Sequence, residues 1–146
     1  MNMPNVLRPK HFLRWAVEMF GPVALRRDER LDRFLEEAIE LAHAEGVGAL
    51  HLNRIIKRVY ERPAGDTYKE IGQAQACLET FAESIGLSSD GEAEREWHRV
   101  QAIPKEEWTR RHAAKVAVGI TAVPASSRQD WHYDSQGYCD NPGRGY

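Results

Sequence analysis

The stretch RFLEEAIELAHAEG, residues 33–46, places Glu36, Glu37 and Glu40 within about one helical turn. Carboxylates this close repel one another, so a helix that carries them either solvates them or uses them to hold something positive. The spacings Glu37 to Glu40 (i, i+3) and Glu36 to Glu40 (i, i+4) bring carboxylates within reach of one cation. A second acidic edge follows, where Asp66, Glu70, Gln73 and Cys77 form a contiguous stripe beside the apolar positions Ile71, Ala74, Leu78, Phe81 and Ile85. That placement predicts groups at the margin of a core rather than fully in water. If the two edges were antiparallel neighbours they would face each other across a small cleft. Magnesium takes oxygen ligands in octahedral array, commonly a few carboxylates plus substrate phosphates. The same residues also have plainer uses. Arg33 is spaced to pair with Glu36 and Glu37, Asp66 to cap a helix, and Thr67-x-x-Glu70 to form a capping box.

Phosphates would also need fixed positive charge. Arg95 and Arg99 share one helix face at i, i+4, Lys105 follows, and Arg54, Lys57 and Arg58 offer a second group. Trp15, Phe20 and Trp97 have the rings to stack a base, although aromatic residues on amphipathic helices more often pack in a core. His43 lies beside the acidic face and reads as a surface histidine. The remaining histidines make no ligand cluster with Cys77 or Cys139, and there is no Ser-His-Asp or Cys-His arrangement and no glycine-rich phosphate loop.

Helical periodicity positions these groups. It predicts helices over residues 9–20, 27–45, 49–62, 67–86, 88–103 and 104–116. Gly21-Pro22, Gly46, Pro63 and Gly86 supply the stops. Ser89 stands three residues before Glu92, a capping-box spacing, and Pro104 suits a first turn. No strand pattern and no internal repeat is visible. The expected fold is an all-α helical bundle over residues 1–118, followed by an irregular tail over 119–146 that carries Trp131, Tyr133, Tyr138 and Tyr146.

The 146 residues suffice for one domain with a real core, and a net charge of -2 gives no general reason to expect nucleic-acid or membrane binding. No long apolar run opens the chain, and its two cysteines lie far apart, which fits reduced thiols in a cytoplasmic protein.

Across residues 28–103 the chain resembles the all-α nucleoside triphosphate pyrophosphohydrolases, the MazG-like enzymes and their dimeric dUTPase relatives. The resemblance rests on EEAIE (36–40) as the EExxE motif and on KEIGQAQACLETFAESIGL (69–87) as the glutamate-led helix that follows. RFLEEAIEL, RPAGD and EREWHRVQAI are similar to short phage and bacterial members. One position departs: where the family has ExxD, this chain has Glu70-Ile71-Gly72-Gln73, an amide in place of a carboxylate. Glutamine still offers a carbonyl oxygen but removes a negative charge, which Asp66, one turn before Glu70 on the same face, would replace. The resemblance implies hydrolysis of a nucleoside triphosphate to monophosphate and pyrophosphate with Mg2+, or Mn2+ as the alternative. By the same resemblance Glu37, Glu40 and Glu70 hold the metal, with Gln73 or Asp66 completing the set. Glu36 is a further ligand or orients water, and Arg95, Arg99, Lys105 and Lys57 are the phosphate candidates. It also implies a homodimer or homotetramer. The competing expectation is a catalytically weakened homologue that binds nucleotide or a protein partner.

Overall fold

The structure, a computed structural model, describes residues 7–120 together with 132–133 and 139–140. Six α-helices run in order: α1 Arg8–Phe20, α2 Arg27–Ala44, α3 Ala49–Tyr60, α4 Thr67–Ser84, α5 Ser89–Ala102 and α6 Lys105–Ala117. The fold is all-α, as the periodicity predicts, apart from a short antiparallel pairing. There β1 (His132–Tyr133) meets β2 (Cys139–Asp140), with His132 opposite Asp140 and Tyr133 opposite Cys139. Strands of two residues are too short to leave an alternating pattern, so no strand was visible in the sequence. Among the described residues no helix is long and apolar enough to cross a membrane.

The helix ends have local causes. At Gly21 (φ 76°) the N–H donates to Val17 O and the chain turns out of α1 into a 3-10 turn over Pro22–Leu25. Gly46 (φ 80°) closes α2, its N–H reaching His43 O while Val47 N–H reaches Ala42 O. Such a left-handed position favours glycine, which lacks the clashing Cβ. Helix α3 stops two residues earlier than the predicted 62, because the residue before Pro63 is driven out of the helical region. Helix α4 begins at Asp66, whose carboxylate accepts from the N–H groups of Tyr68 (2.7 Å) and Lys69 (3.3 Å). The cap of α5 is Ser88, with Oγ accepting from Gly91 N–H at 3.2 Å. The Ser89–Glu92 spacing is therefore not the capping pair, and Ser89 is the first helical residue. Pro104 likewise precedes α6 rather than opening it, its carbonyl accepting from Glu107 and Trp108 N–H.

The chain divides into two compact units, Met1–Pro22 with Gly65–His112, and Val23–Ala64 with Ala113–Tyr146. The first holds α1, α4, α5 and the opening turns of α6. Its seam is aromatic. Trp97 of α5 takes Phe12 edge-on at 5.1 Å, and Trp108 of α6 takes Trp15 edge-on at 5.0 Å. The indole N–H of Trp108 donates to Val100 O at 3.3 Å, satisfying the one polar atom of that ring. Arg8 ties the start of α1 to α5 through Asp90 at 2.6 Å. Ala16, Ala82, Trp97 and Val100 are buried here.

The second unit holds α2, α3, the last turn of α6 and the paired strands. Ala24 and Glu29 are its buried residues among those described. The apolar stripes of α2, α3 and α4 are left largely uncovered: Leu50 is 77% exposed, Ile55 48% and Ile71 65%. This corrects one expectation. Asp66, Glu70, Gln73 and Cys77 are exposed rather than at a core margin, because the stripe beside them is itself open.

Candidate functional site

Glu36, Glu37 and Glu40 lie on the middle of α2, where the helix period puts them on one side. Glu37 and Glu40 are exposed and Glu36 is half-buried. The Oε2 atom of Glu36 accepts from two cations, Arg33 Nη1 one turn earlier and Lys115 Nζ of α6 at 2.7 Å. Arg33 also donates from Nη2 to Ile120 O at 3.3 Å, so the last turn of α6 and the chain just after it are each fastened to α2 at one point.

One turn further back, Glu29 is 2% exposed. Its Oε1 lies 3.8 Å from Arg30 Nη2 and 3.9 Å from Arg33 Nε. Burial lowers the pKa of Arg30 and is the largest influence on it; Glu29 opposes the shift and Arg33 adds to it. Nε of Arg30 and Nε of Arg33 are enclosed without a hydrogen-bond partner among the described residues. A desolvated guanidinium of this kind interacts with nearby charge more strongly than one in water. Glu29, Arg30 and Lys115 are not among the residues that the sequence motifs point to. The i, i+4 spacing of Glu29 to Arg33 was there to be seen, but Lys115 stands 79 residues from Glu36 and left no local signal.

The α4 edge lies in the first unit and the α2 edge in the second. On α4, Asp66 spends Oδ1 on the two backbone N–H groups of its own cap. Glu70 folds back toward that cap, its Oε1 resting against the backbone of Gly65 where a Cβ would stand. Gln73 and Cys77 are exposed. Of the plainer uses, the pairing of Arg33 with Glu36 and the capping by Asp66 are realised. Among the described residues, no three His, Cys, Asp or Glu side chains are gathered into a set that holds a metal. In chemical type, the carboxylate oxygens of Glu37 and Glu40 are ligands that magnesium takes.

The basic residues nominated for phosphate are spread over both units. Arg95 pairs with Glu92, and Arg99 forks onto Glu96 with both contacts at 2.6 Å. Lys105 and Lys57 are exposed. Of the aromatic candidates, Trp97 is buried, and Trp15 and Phe20 meet each other edge-on at 5.8 Å within the α1 seam. Trp15 and Phe20 are half-buried and packed edge to face, which is a packing role. His43 is exposed, as expected. Trp108 was not singled out from the sequence; it joins the seam and carries the Arg111 guanidinium 5.3 Å from its ring centre.

Set against family models, curated proteins and solved structures, the chain matches none of them.

Proposed function

We propose that the protein is a nucleoside triphosphate pyrophosphohydrolase, cleaving between the α and β phosphates with water as nucleophile. The observation that carries the reading is the complete EExxE set, Glu36, Glu37 and Glu40, on one face of an 18-residue helix, two of the three open to solvent. Bound Mg2+ or Mn2+ would neutralise phosphate charge and orient the attacking water. In this reading Glu37 and Glu40 contribute oxygens to the cation, and Glu70, Gln73 and Asp66 are the further ligands that the resemblance nominates. Glu36 orients the attacking water or adds a further oxygen. Arg95, Arg99, Lys105 and Lys57 remain the residues nominated from sequence for phosphate.

A second reading has its own support. Gln73 stands where the family carries aspartate, and Glu36 is already paired with Arg33 and Lys115. A weakened homologue that binds nucleotide or protein through the same helices is consistent with both. Further support exists for self-association into a homodimer or homotetramer. The uncovered stripes on α2, α3 and α4 are of the kind that a second copy buries.

The test is incubation with a panel of nucleoside triphosphates and magnesium. Monophosphate and pyrophosphate are expected as products, and Glu40→Gln is expected to abolish their release. Absence of turnover on every nucleotide, from folded protein that binds no magnesium, removes the enzyme reading. A gain of turnover in Gln73→Asp identifies the amide as the weak point of the site.

A further inference from the structure

Two cations of the second unit converge on one oxygen. Arg33 Nη1 and Lys115 Nζ both donate to Glu36 Oε2, the lysine at 2.7 Å. A guanidinium and an ammonium aimed at the same point form the arrangement that receives a phosphate oxygen. A carboxylate fills it only in part, since its single charge faces two positive groups. Glu29 also acts on Arg33, but as a longer ion pair, with Oε1 3.9 Å from Arg33 Nε and 3.8 Å from Arg30 Nη2.

We propose that Arg33 and Lys115 are a phosphate-receiving pair, and that Glu36 holds their place as an internal counter-ion which a polyphosphate anion displaces. The pair lies wholly within the second unit, and Lys115 falls outside residues 28–103. The proposal deepens the pyrophosphohydrolase reading and rests on it for the choice of anion.

Three features support the exchange. The side chains of Arg33, Glu36 and Lys115 are 20%, 19% and 33% exposed, so they are shielded from bulk water yet reachable from it. An anion with several charged oxygens binds a fixed cation pair better than one carboxylate does, and the attraction is strong where screening is reduced. The displacement also has a chemical consequence. Released from its cations, Glu36 returns a full negative charge to the face it shares with Glu37 and Glu40. That face is then better suited to the divalent cation that accompanies a polyphosphate. By contrast, Arg95 and Arg99 are engaged in exposed i, i+3 pairs on α5 that would have to be broken for no such gain.

The experiment is calorimetric titration of the full chain with inorganic pyrophosphate in metal-free buffer. The wild type is expected to bind. Lys115→Gln and Arg33→Gln are each expected to weaken binding about tenfold, the effect of losing one charge-assisted contact. Glu36→Gln is expected to tighten it several-fold, because the internal competitor is gone. Far-UV circular dichroism establishes that each variant is helical. If Arg33→Gln fails to fold, the Lys115 and Glu36 variants carry the test. No binding by the wild type, unchanged affinity in Lys115→Gln, or weaker affinity in Glu36→Gln each overturns the proposal. Nucleotide turnover and magnesium binding are scored separately. Pyrophosphate binding with neither magnesium binding nor turnover of any nucleotide sinks the enzyme reading alone, and turnover with pyrophosphate affinity indifferent to Lys115 sinks this inference alone.

Discussion

At the level of single residues, charge placement on these helices follows two rules of different reach. The first is local: carboxylates find guanidiniums three or four positions along the same helix, as Glu36 does with Arg33 and Glu96 with Arg99. Glu107 is the strongest case. Arg110 forks onto it at 2.8 and 2.7 Å, and Arg111 adds a contact at 2.7 Å. Those hydrogen bonds, from Arg110 first and Arg111 second, hold its pKa down to about 2. A carboxylate whose folded pKa is depressed stabilises the fold above its unfolded value, and that contribution fades as pH falls from there through about 2. Carboxyl NMR titration is expected to place the Glu107 midpoint near 2, and Arg110→Gln with Arg111→Gln to return it to the ordinary glutamate range. Overall stability should change little, since the pairs are exposed and screened. The second rule is not local. Lys115 reaches Glu36 only because the chain folds back, and this contact gives the EExxE face a different resident charge from the one its spacing suggests.

At the level of elements, the helices start and stop where short-range chemistry dictates. Asp66 shows how a residue with two readings is resolved by one hydrogen-bonding pattern. Its carboxylate satisfies two of the N–H groups that α4 leaves without intrahelical partners. Asp66→Ala is expected to cost about 1 kcal/mol in chemical denaturation, and Asp66→Asn much less, because an amide oxygen still caps. A role confined to metal binding predicts no loss in the absence of metal, so the denaturation series run without magnesium separates the two uses. The misplacement of the α5 cap by one residue has the same origin in reverse. Ser88 and Ser89 both have the required hydroxyl, and only the backbone conformation at Ser88, extended at φ -97° and ψ 116°, selects between them.

At the level of the whole molecule, the buried apolar side chains among the described residues are few, and most are small. Three of the five buried apolar residues described are Ala16, Ala24 and Ala82, while Leu50, Ile55, Val59, Ile71 and Leu78 remain exposed. Open apolar surface on successive helices is costly in water at roughly 25 cal/mol per Å2. Sedimentation velocity at concentrations on the order of tens of micromolar is therefore expected to show at least two chains per particle. Leu50→Glu with Ile55→Glu is expected to shift the distribution toward single chains. A monomer at every concentration, with or without those substitutions, removes the self-association proposal.

The sequence by itself determined the helices of residues 8–117, most of their ends, and which residues share a face. Each depends on neighbours within a turn or two: the 3.6-residue period, a glycine at φ 76° or 80°, a proline, a capping carboxylate. It also marked Glu36, Glu37 and Glu40 as a set. Only the tertiary structure decided what Glu36 is paired with, that Trp97 and Trp108 form the aromatic seam with α1, and that the stripes of α2, α3 and α4 stay uncovered. The physical reason is range. A periodic pattern records which side of a helix is apolar or acidic, whereas the partner that covers or neutralises that side comes from elsewhere in the chain, as Lys115 does from 79 residues away.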